Sequence, residues 1–427
     1  MKIFHTVESE VRSYCRSFPT VFNKAKNSML FSEDGKEYLD FFAGAGALNY
    51  GHNNDYIKKK LMDYLSSDAI IHGLDMFTKA KREFIGKFVK SILIPRDLTY
   101  KMQFCGPTGT NAVEAALKLA RKVKKRANIF AFMGAFHGMT LGSLAATSNI
   151  SSREGAGLSL NNITFMPYPS SNISFDTIQY MEDILKDDHS GIEKPAAVIV
   201  ETVQAEGGIN IAPVEWLKRL SDLCKENDIL LICDDIQVGC GRTGEFFSFE
   251  RAEIIPDMVV LSKSISGYGL PMSLLLLKPE LDIWQPGEHN GTFRGNQLAF
   301  VAASAALEYR ENINLDMNTK LMENFLKKYL TESIKPLHDC IEIRGIGLIW
   351  GIDFSRMGIE HASKEIVRRC FDNGLIIERV GREDSVVKIM PPLNIEMKDL
   401  EKGCDILRCV ISEYLMSVQK ENIGITV

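Results

Sequence analysis

Residues 229–237 read Ile229-Leu230-Leu231-Ile232-Cys233-Asp234-Asp235-Ile236-Gln237, and this stretch decides the fold. The apolar run from Ile229 to Cys233 is too short for a helix. It is also too continuously apolar for a strand with one wet face, so it reads as a strand buried on both faces, as in a parallel sheet. The carboxylates that follow then stand at its carboxyl end, the edge where open α/β sheets bind ligands. Asp234 there serves either as a turn cap or as the partner of a protonated pyridine nitrogen, keeping such a ring an electron sink.

Working outward, Ala196–Val200, Met258–Leu261 and Ser273–Leu277 repeat the pattern, and all four runs are expected to share one parallel sheet. Between them lie helical stretches such as Ala112–Val123, with Val113, Ala116, Leu117, Ala120 and Val123 on one face and Glu114 in place to pair with Lys118. Alternating strands and helices define an α/β protein. Residues 1–50 contain a hairpin of Met29–Phe31 and Tyr38–Phe42 about the turn residues Asp34-Gly35, and form an N-terminal segment joining a small domain. Residues 51–310 carry the sheet. Residues 311–427 form that smaller C-terminal α+β domain, with a helix at Thr319–Leu330 and strands around Ile341–Phe354 and Val386–Met390.

Composition limits what such a protein does. At 427 residues with 45% hydrophobic, 25% charged and 9% aromatic residues, the chain has the make-up of a folded soluble enzyme. A net charge of −5 offers no case for nucleic acid, which needs a concentrated basic face. The one basic run, Arg121-Lys122-Val123-Lys124-Lys125-Arg126, closes a helix, where cations meet the negative end of its dipole. The nine cysteines are scattered, without a metal-type pair, which suits a reducing compartment. Neither a secretory signal nor a membrane span is read at the N-terminus, so the cytoplasm is the default location.

Two further features carry chemistry. Gly106-Pro107-Thr108-Gly109-Thr110-Asn111 lies between the strand-like Tyr100–Cys105 and the Ala112–Val123 helix, where unpaired backbone N–H groups and the Thr108 and Thr110 hydroxyls suit a phosphate. The same loop also reads as a capped turn without a ligand. In Leu261-Ser262-Lys263-Ser264-Ile265-Ser266-Gly267 a lysine ends an apolar run, where desolvation would lower its pKa toward nucleophilicity. No G-x-G-x-x-G follows a first strand, which removes the case for a nicotinamide dehydrogenase.

Together, Ile232-Cys233-Asp234-Asp235-Ile236-Gln237, Gly241-Arg242-Thr243-Gly244, Pro256-Asp257 and Ser262-Lys263 resemble the class III aminotransferases of the ornithine and 4-aminobutyrate type, over nearly the whole chain. The resemblance implies the fold type I architecture of pyridoxal-phosphate (PLP) enzymes, a mostly parallel sheet flanked by helices with a smaller α+β domain. It implies Lys263 as the lysine that carries PLP as a Schiff base and shuttles the proton, Asp234 on the pyridine nitrogen and Gln237 on the phenolic oxygen. Phe136 in Ala135-Phe136-His137-Gly138 resembles the residue stacked on the ring, and a core phenylalanine is the lesser alternative. Gly109 and Thr110 match the phosphate-binding pair. Thr292 in His289-Asn290-Gly291-Thr292-Phe293 resembles the threonine that reaches the neighbouring subunit's phosphate, which implies a homodimer, or a dimer of dimers, with shared sites. Arg242 and Thr243 are expected to hold a loop. No metal is implied.

In relatives, an acid matching Glu206 gates an arginine that receives the glutamate carboxylate. Here Val386-Val387-Lys388-Ile389-Met390-Pro391-Pro392 places Lys388 at that position, a cation without the bidentate fork, and Arg294 is a second candidate partner. Segments such as Phe42-Ala43-Gly44-Ala45-Gly46-Ala47-Leu48-Asn49-Tyr50-Gly51-His52 and Ser266-Gly267-Tyr268-Gly269-Leu270-Pro271 narrow the resemblance to a subgroup acting in ectoine biosynthesis. That subgroup implies ping-pong transfer of an amino group from L-glutamate to L-aspartate 4-semialdehyde, giving L-2,4-diaminobutyrate and 2-oxoglutarate. Gly44, Ala45, Gly46 and Ala47 either leave room for a short substrate or pack a close turn. The competing expectations are an ω-aminotransferase acting on 4-aminobutyrate, ornithine or a siderophore or antibiotic precursor, and a PLP-binding protein without activity.

Overall fold

The computed structural model describes residues 2–170 and 173–424. Its centre is a seven-stranded sheet in the order Lys101–Phe104, Leu274–Leu277, Met258–Leu261, Leu230–Asp234, Ala197–Val200, Ile129–Phe132, Ile163–Met166. The residues of the central strands are buried without exception because helices cover both faces. Leu230–Asp234 pairs in parallel with both Ala197–Val200 and Met258–Leu261.

The sheet is mostly parallel, but the expectation that the Ser273–Leu277 run shares that direction fails. Leu274–Leu277 runs antiparallel to both of its neighbours. A parallel return needs a crossover of a dozen or more residues, usually a helix. The connection from Leu261 to Leu274 instead contains the single 3-10 turn Lys263–Ser266, so the chain folds straight back. That tight return holds Lys263 at the sheet edge.

A second expectation is also corrected. The helix spans Gly109–Lys124, but Glu114 does not pair with Lys118. Its carboxylate accepts from the Thr140 hydroxyl and from the backbone N–H groups of Gly142 and Ser143, while Lys118 donates to the Glu288 carbonyl. Otherwise unpaired donors near a helix start outweigh an exposed ion pair, which contributes only ~0.3–0.5 kcal/mol. The basic run is consumed locally: Lys122 pairs with Glu288, and Lys124 and Arg126 with Asp228.

The N-terminal hairpin forms as Met29–Ser32 against Glu37–Asp40, and Leu375–Ile376 joins the latter in parallel, so chain start and chain end build one sheet. Beside it lies an antiparallel sheet of Glu342–Ile346, Ile349–Asp353, Val386–Ile389 and Glu378–Val380. Leu39, Phe41, Trp350, Ile389 and Leu407 share one apolar core. The helix Gln297–Asn312 contributes side chains both to that core and to the core of the central sheet. No helix among the described residues is long and apolar enough to cross a membrane.

Gly267 ties the Lys263 turn to this helix. It sits at φ +73, and a Cβ there would lie 2.3 Å from the Ala306 Cβ and 3.0 Å from the Ala302 carbonyl. Gly267→Ala is therefore expected to destabilise the protein by about 2–3 kcal/mol through overpacking and a strained backbone. Equilibrium denaturation checks this; an unchanged midpoint would contradict the close approach.

Candidate active site

The carboxyl ends of the parallel strands open into a cavity of about 350 Å³. Of the residues singled out from sequence, Gly109, Thr110, Phe136, Glu206, Asp234, Gln237 and Lys263 all line it. Thr292, Arg294 and Lys388 do not.

One wall is the N-terminus of the Gly109–Lys124 helix. Thr108 is its N-cap, and Asn111 in the first turn accepts from the Thr108 backbone N–H and hydroxyl. A Cβ on Gly109 would come within 2.7 Å of the Ile236 side chain, and one on Gly138 within 2.5 Å of the Thr110 hydroxyl. Only glycines leave this backbone accessible. The Thr110 hydroxyl is shared with Thr140 and Ser143, fixing its direction.

The floor is Asp234. Its Oδ2 lies 2.7 Å from Nδ1 of the buried His137, and its Oδ1 accepts from the Ile236 backbone N–H. Burial opposes a charge on His137, the Asp234 carboxylate favours it, and the net displacement of its pKa is upward. The neighbouring Asp235 turns away to accept from the Ser248 backbone and hydroxyl. Strand alternation thus separates two adjacent acids, one facing the cavity and one structural. Glu201, behind Phe136, accepts from the Phe136 backbone N–H, and burial raises its pKa to about 7. Phe136 itself remains 38% exposed, an apolar ring presented to the cavity rather than packed in the core.

Lys263 adopts φ +50, a left-handed conformation that costs a non-glycine residue on the order of 1 kcal/mol. The turn around it is over-determined. Ser262 donates to the Met272 carbonyl, while Ser264 donates to the Gly46 carbonyl and accepts from the Asn49 N–H. Burial lowers the Lys263 pKa, partly offset by the Glu206 carboxylate, while the Lys388 ammonium reinforces the decrease.

A buried charge cluster closes the opposite side. The Lys388 Nζ, 0% exposed, lies 2.8 Å from Glu206 Oε1, 2.5 Å from Glu378 Oε1 and 3.3 Å from Gln237 Oε1. Burial resists charge on Glu206, but the Lys388 and Lys263 ammoniums prevail and hold its pKa at about 2. Glu378 moves the other way, because burial and the Glu206 charge outweigh Lys388. Gln237 donates to Glu206 and to the Ala45 carbonyl. Of the small residues 44–47, Gly46 packs closely on Gln237 and Ala47 lines the cavity.

Lys388 thus contacts carboxylates of its own chain, while Thr292 is exposed and Arg294 half-buried on the segment before the Gln297–Asn312 helix. Arg242 is fully buried and donates to the Leu348 and Pro391 carbonyls and to Asn49, a loop-holding role. Sequence reasoning missed Glu201 and Glu378 and left His137 without a role. Glu378 carried a readable signal, a lone acid ending the apolar run Leu375-Ile376-Ile377.

The chain belongs to the class-III aminotransferase family, whose family model matches residues 12–411. It is a PLP-dependent aminotransferase of fold type I. Over 419 residues it is 54% identical to the diaminobutyrate–2-oxoglutarate transaminase of Streptomyces coelicolor, covering 97% of this chain and 98% of that protein. The enzyme of the same name from Bordetella parapertussis is 51% identical, covering 98% and 97%. Among solved structures, an ornithine aminotransferase from Toxoplasma gondii superposes with a TM-score of 0.85 at 24% identity, over 97% of this chain and 94% of that one. An S-selective transaminase from Arthrobacter gives 0.86 at 22%, covering 97% of each chain.

The residues fit PLP. A carboxylate stands ready for a ring nitrogen, an open helix N-terminus for a phosphate, and an amine for an aldehyde. Among the described residues the buried Nε2 of His137 has no partner. Since the Glu206 carboxylate raises the Lys263 pKa, Glu206→Gln is expected to lower it further. The rate at which apo-protein takes up PLP, followed by visible absorbance against pH, should reach half-maximum at lower pH. An upward or absent shift would contradict the coupling.

Proposed function

We propose that this protein transfers the amino group of L-glutamate to the aldehyde of L-aspartate 4-semialdehyde, forming L-2,4-diaminobutyrate and 2-oxoglutarate for ectoine synthesis. The observation that carries this reading is an identity of 54% over 97% of the chain to a transaminase named for those two compounds. The cavity's chemistry agrees with it, since a short substrate bearing a carboxylate and an ammonium needs charged and polar partners near the reacting carbon.

PLP, when bound, supplies an electron sink and a temporary seat for the amino group. Lys263 holds the cofactor, and its Nζ, more readily deprotonated because burial lowers its pKa, removes the proton from the carbon bearing the reacting amine. Asp234 pairs the ring nitrogen, and His137 fixes that carboxylate's orientation. Phe136 stacks on the ring, Gln237 binds the phenolic oxygen, and Gly109 and Thr110 hold the phosphate. Turnover is ping-pong, 2-oxoglutarate leaving before the semialdehyde enters.

The working form is a homodimer in the cytoplasm. Ile70, Ile71, Leu74, Met76, Phe77 and Phe293 are exposed on neighbouring segments, which the His72–Asn296 bridge ties together. A second copy covering them would let Thr292 reach the partner's phosphate.

Lys263→Ala is expected to lose the visible band of the bound cofactor and at least about a thousandfold in turnover. A panel of amino donors with 2-oxoglutarate as acceptor, read as glutamate formed, tests the substrate. The highest kcat/KM is expected for 2,4-diaminobutyrate. Preference for 4-aminobutyrate or ornithine would remove the substrate reading and leave the family standing.

A further inference from the structure

The cluster around Lys388 holds one buried cation and two carboxylates, and the two differ in how they are held. Glu378 stands directly across an antiparallel pair from Lys388, its Cα the register partner of the lysine's, with a side chain only 10% exposed. Glu206 lies on the turn between the two-residue strands Val203–Gln204 and Asn210–Ile211, lines the cavity and keeps 35% of its side chain exposed. Its hydrogen bonds from Lys388 and Gln237 both fall on Oε1. Among the described residues no hydrogen bond reaches Oε2.

A buried lysine needs one compensating carboxylate, because an uncompensated charge in the interior is strongly destabilising. Glu378 supplies that compensation from a rigid cross-strand position. Lys388 also donates a hydrogen bond to Oε1 of Glu206, so what exceeds the lysine's need is one negative charge of the carboxylate pair and the unbonded Oε2 of Glu206. We propose that Glu378 is a positioning residue, a resident counter-ion of Lys388, and that its charge leaves Oε2 of Glu206 to receive the second, non-reacting ammonium group of a substrate in the cavity. This rests on the diamino substrate of the preceding subsection. It makes the site selective for substrates carrying that second ammonium over equally long substrates without it.

The test compares 2,4-diaminobutyrate with 4-aminobutyrate, which differ only by that ammonium, as donors to 2-oxoglutarate in the PLP-loaded protein. In Glu206→Gln the ratio of their kcat/KM values is expected to fall about tenfold or more, the loss of one charge-assisted hydrogen bond. Glu378→Gln should lower the same ratio, because the Glu206 charge alone then compensates Lys388, while the rate with 4-aminobutyrate changes much less. Equal losses with both donors would mark Glu378 as merely structural and overturn the proposal, as would an unchanged ratio in Glu206→Gln. Should Glu378→Gln fail to fold, Glu378→Gln combined with Lys388→Met decides the matter. With no lysine to claim Glu206, the wild-type ratio should return to within about threefold, and a collapsed ratio overturns the proposal. Wild-type protein that uses 4-aminobutyrate but ignores 2,4-diaminobutyrate sinks both this proposal and the substrate reading. Wild-type preference for 2,4-diaminobutyrate with no response in the variants sinks this proposal alone.

Discussion

The parallel pairing of Leu230–Asp234 with Met258–Leu261 is the constraint on which the site depends. With Asp234 in register with Val260, the aspartate and Lys263, remote in sequence, leave the sheet at the same edge. Neither group is placed by a flexible loop. Asp234 ends a fully buried strand, and Lys263 opens a turn pinned by Ser262, Ser264 and Gly267. The left-handed backbone of Lys263 persists because those contacts leave it no other conformation.

Placing so much charge at a buried edge requires counterparts for its carboxylates. Asp234 has His137, Glu201 has the Phe136 backbone, Glu206 and Glu378 share Lys388, and Asp235 is turned onto Ser248. The pKa displacements follow from who is paired. Glu206, near two ammoniums, is held ionised, whereas Glu201, without a cation of comparable strength beside it, is pushed toward neutrality. Lys263 is a cation whose charge burial resists more than the neighbouring carboxylates compensate, and that suits a lysine acting as nucleophile and base.

Much of this was legible in the residues themselves. Buried strands are continuous apolar runs, so Met258–Leu261 was readable to the residue and Leu230–Asp234 to within one. Strand direction was less legible, since Leu274–Leu277 is as apolar as the parallel strands of the sheet and only the missing crossover helix reverses it. Residues delivered by strand ends and helix starts, Asp234, Lys263, Gly109 and Thr110, were readable because local pattern positions them. Glu378 and His137 were not, because their roles come from cross-strand register and from a contact between segments far apart in the chain. Nor does a single sequence distinguish Lys388 as a carboxylate receptor from Lys388 as a paired internal cation.

That Lys263, among all the lysines of this chain, is the one that binds PLP is the account's central claim. Reduction of the PLP-loaded protein with borohydride, followed by proteolysis and peptide mass mapping, tests it most directly. The cofactor-derived mass is predicted on the peptide containing Lys263. The same mass on another lysine, with Lys263 unmodified, would contradict the account.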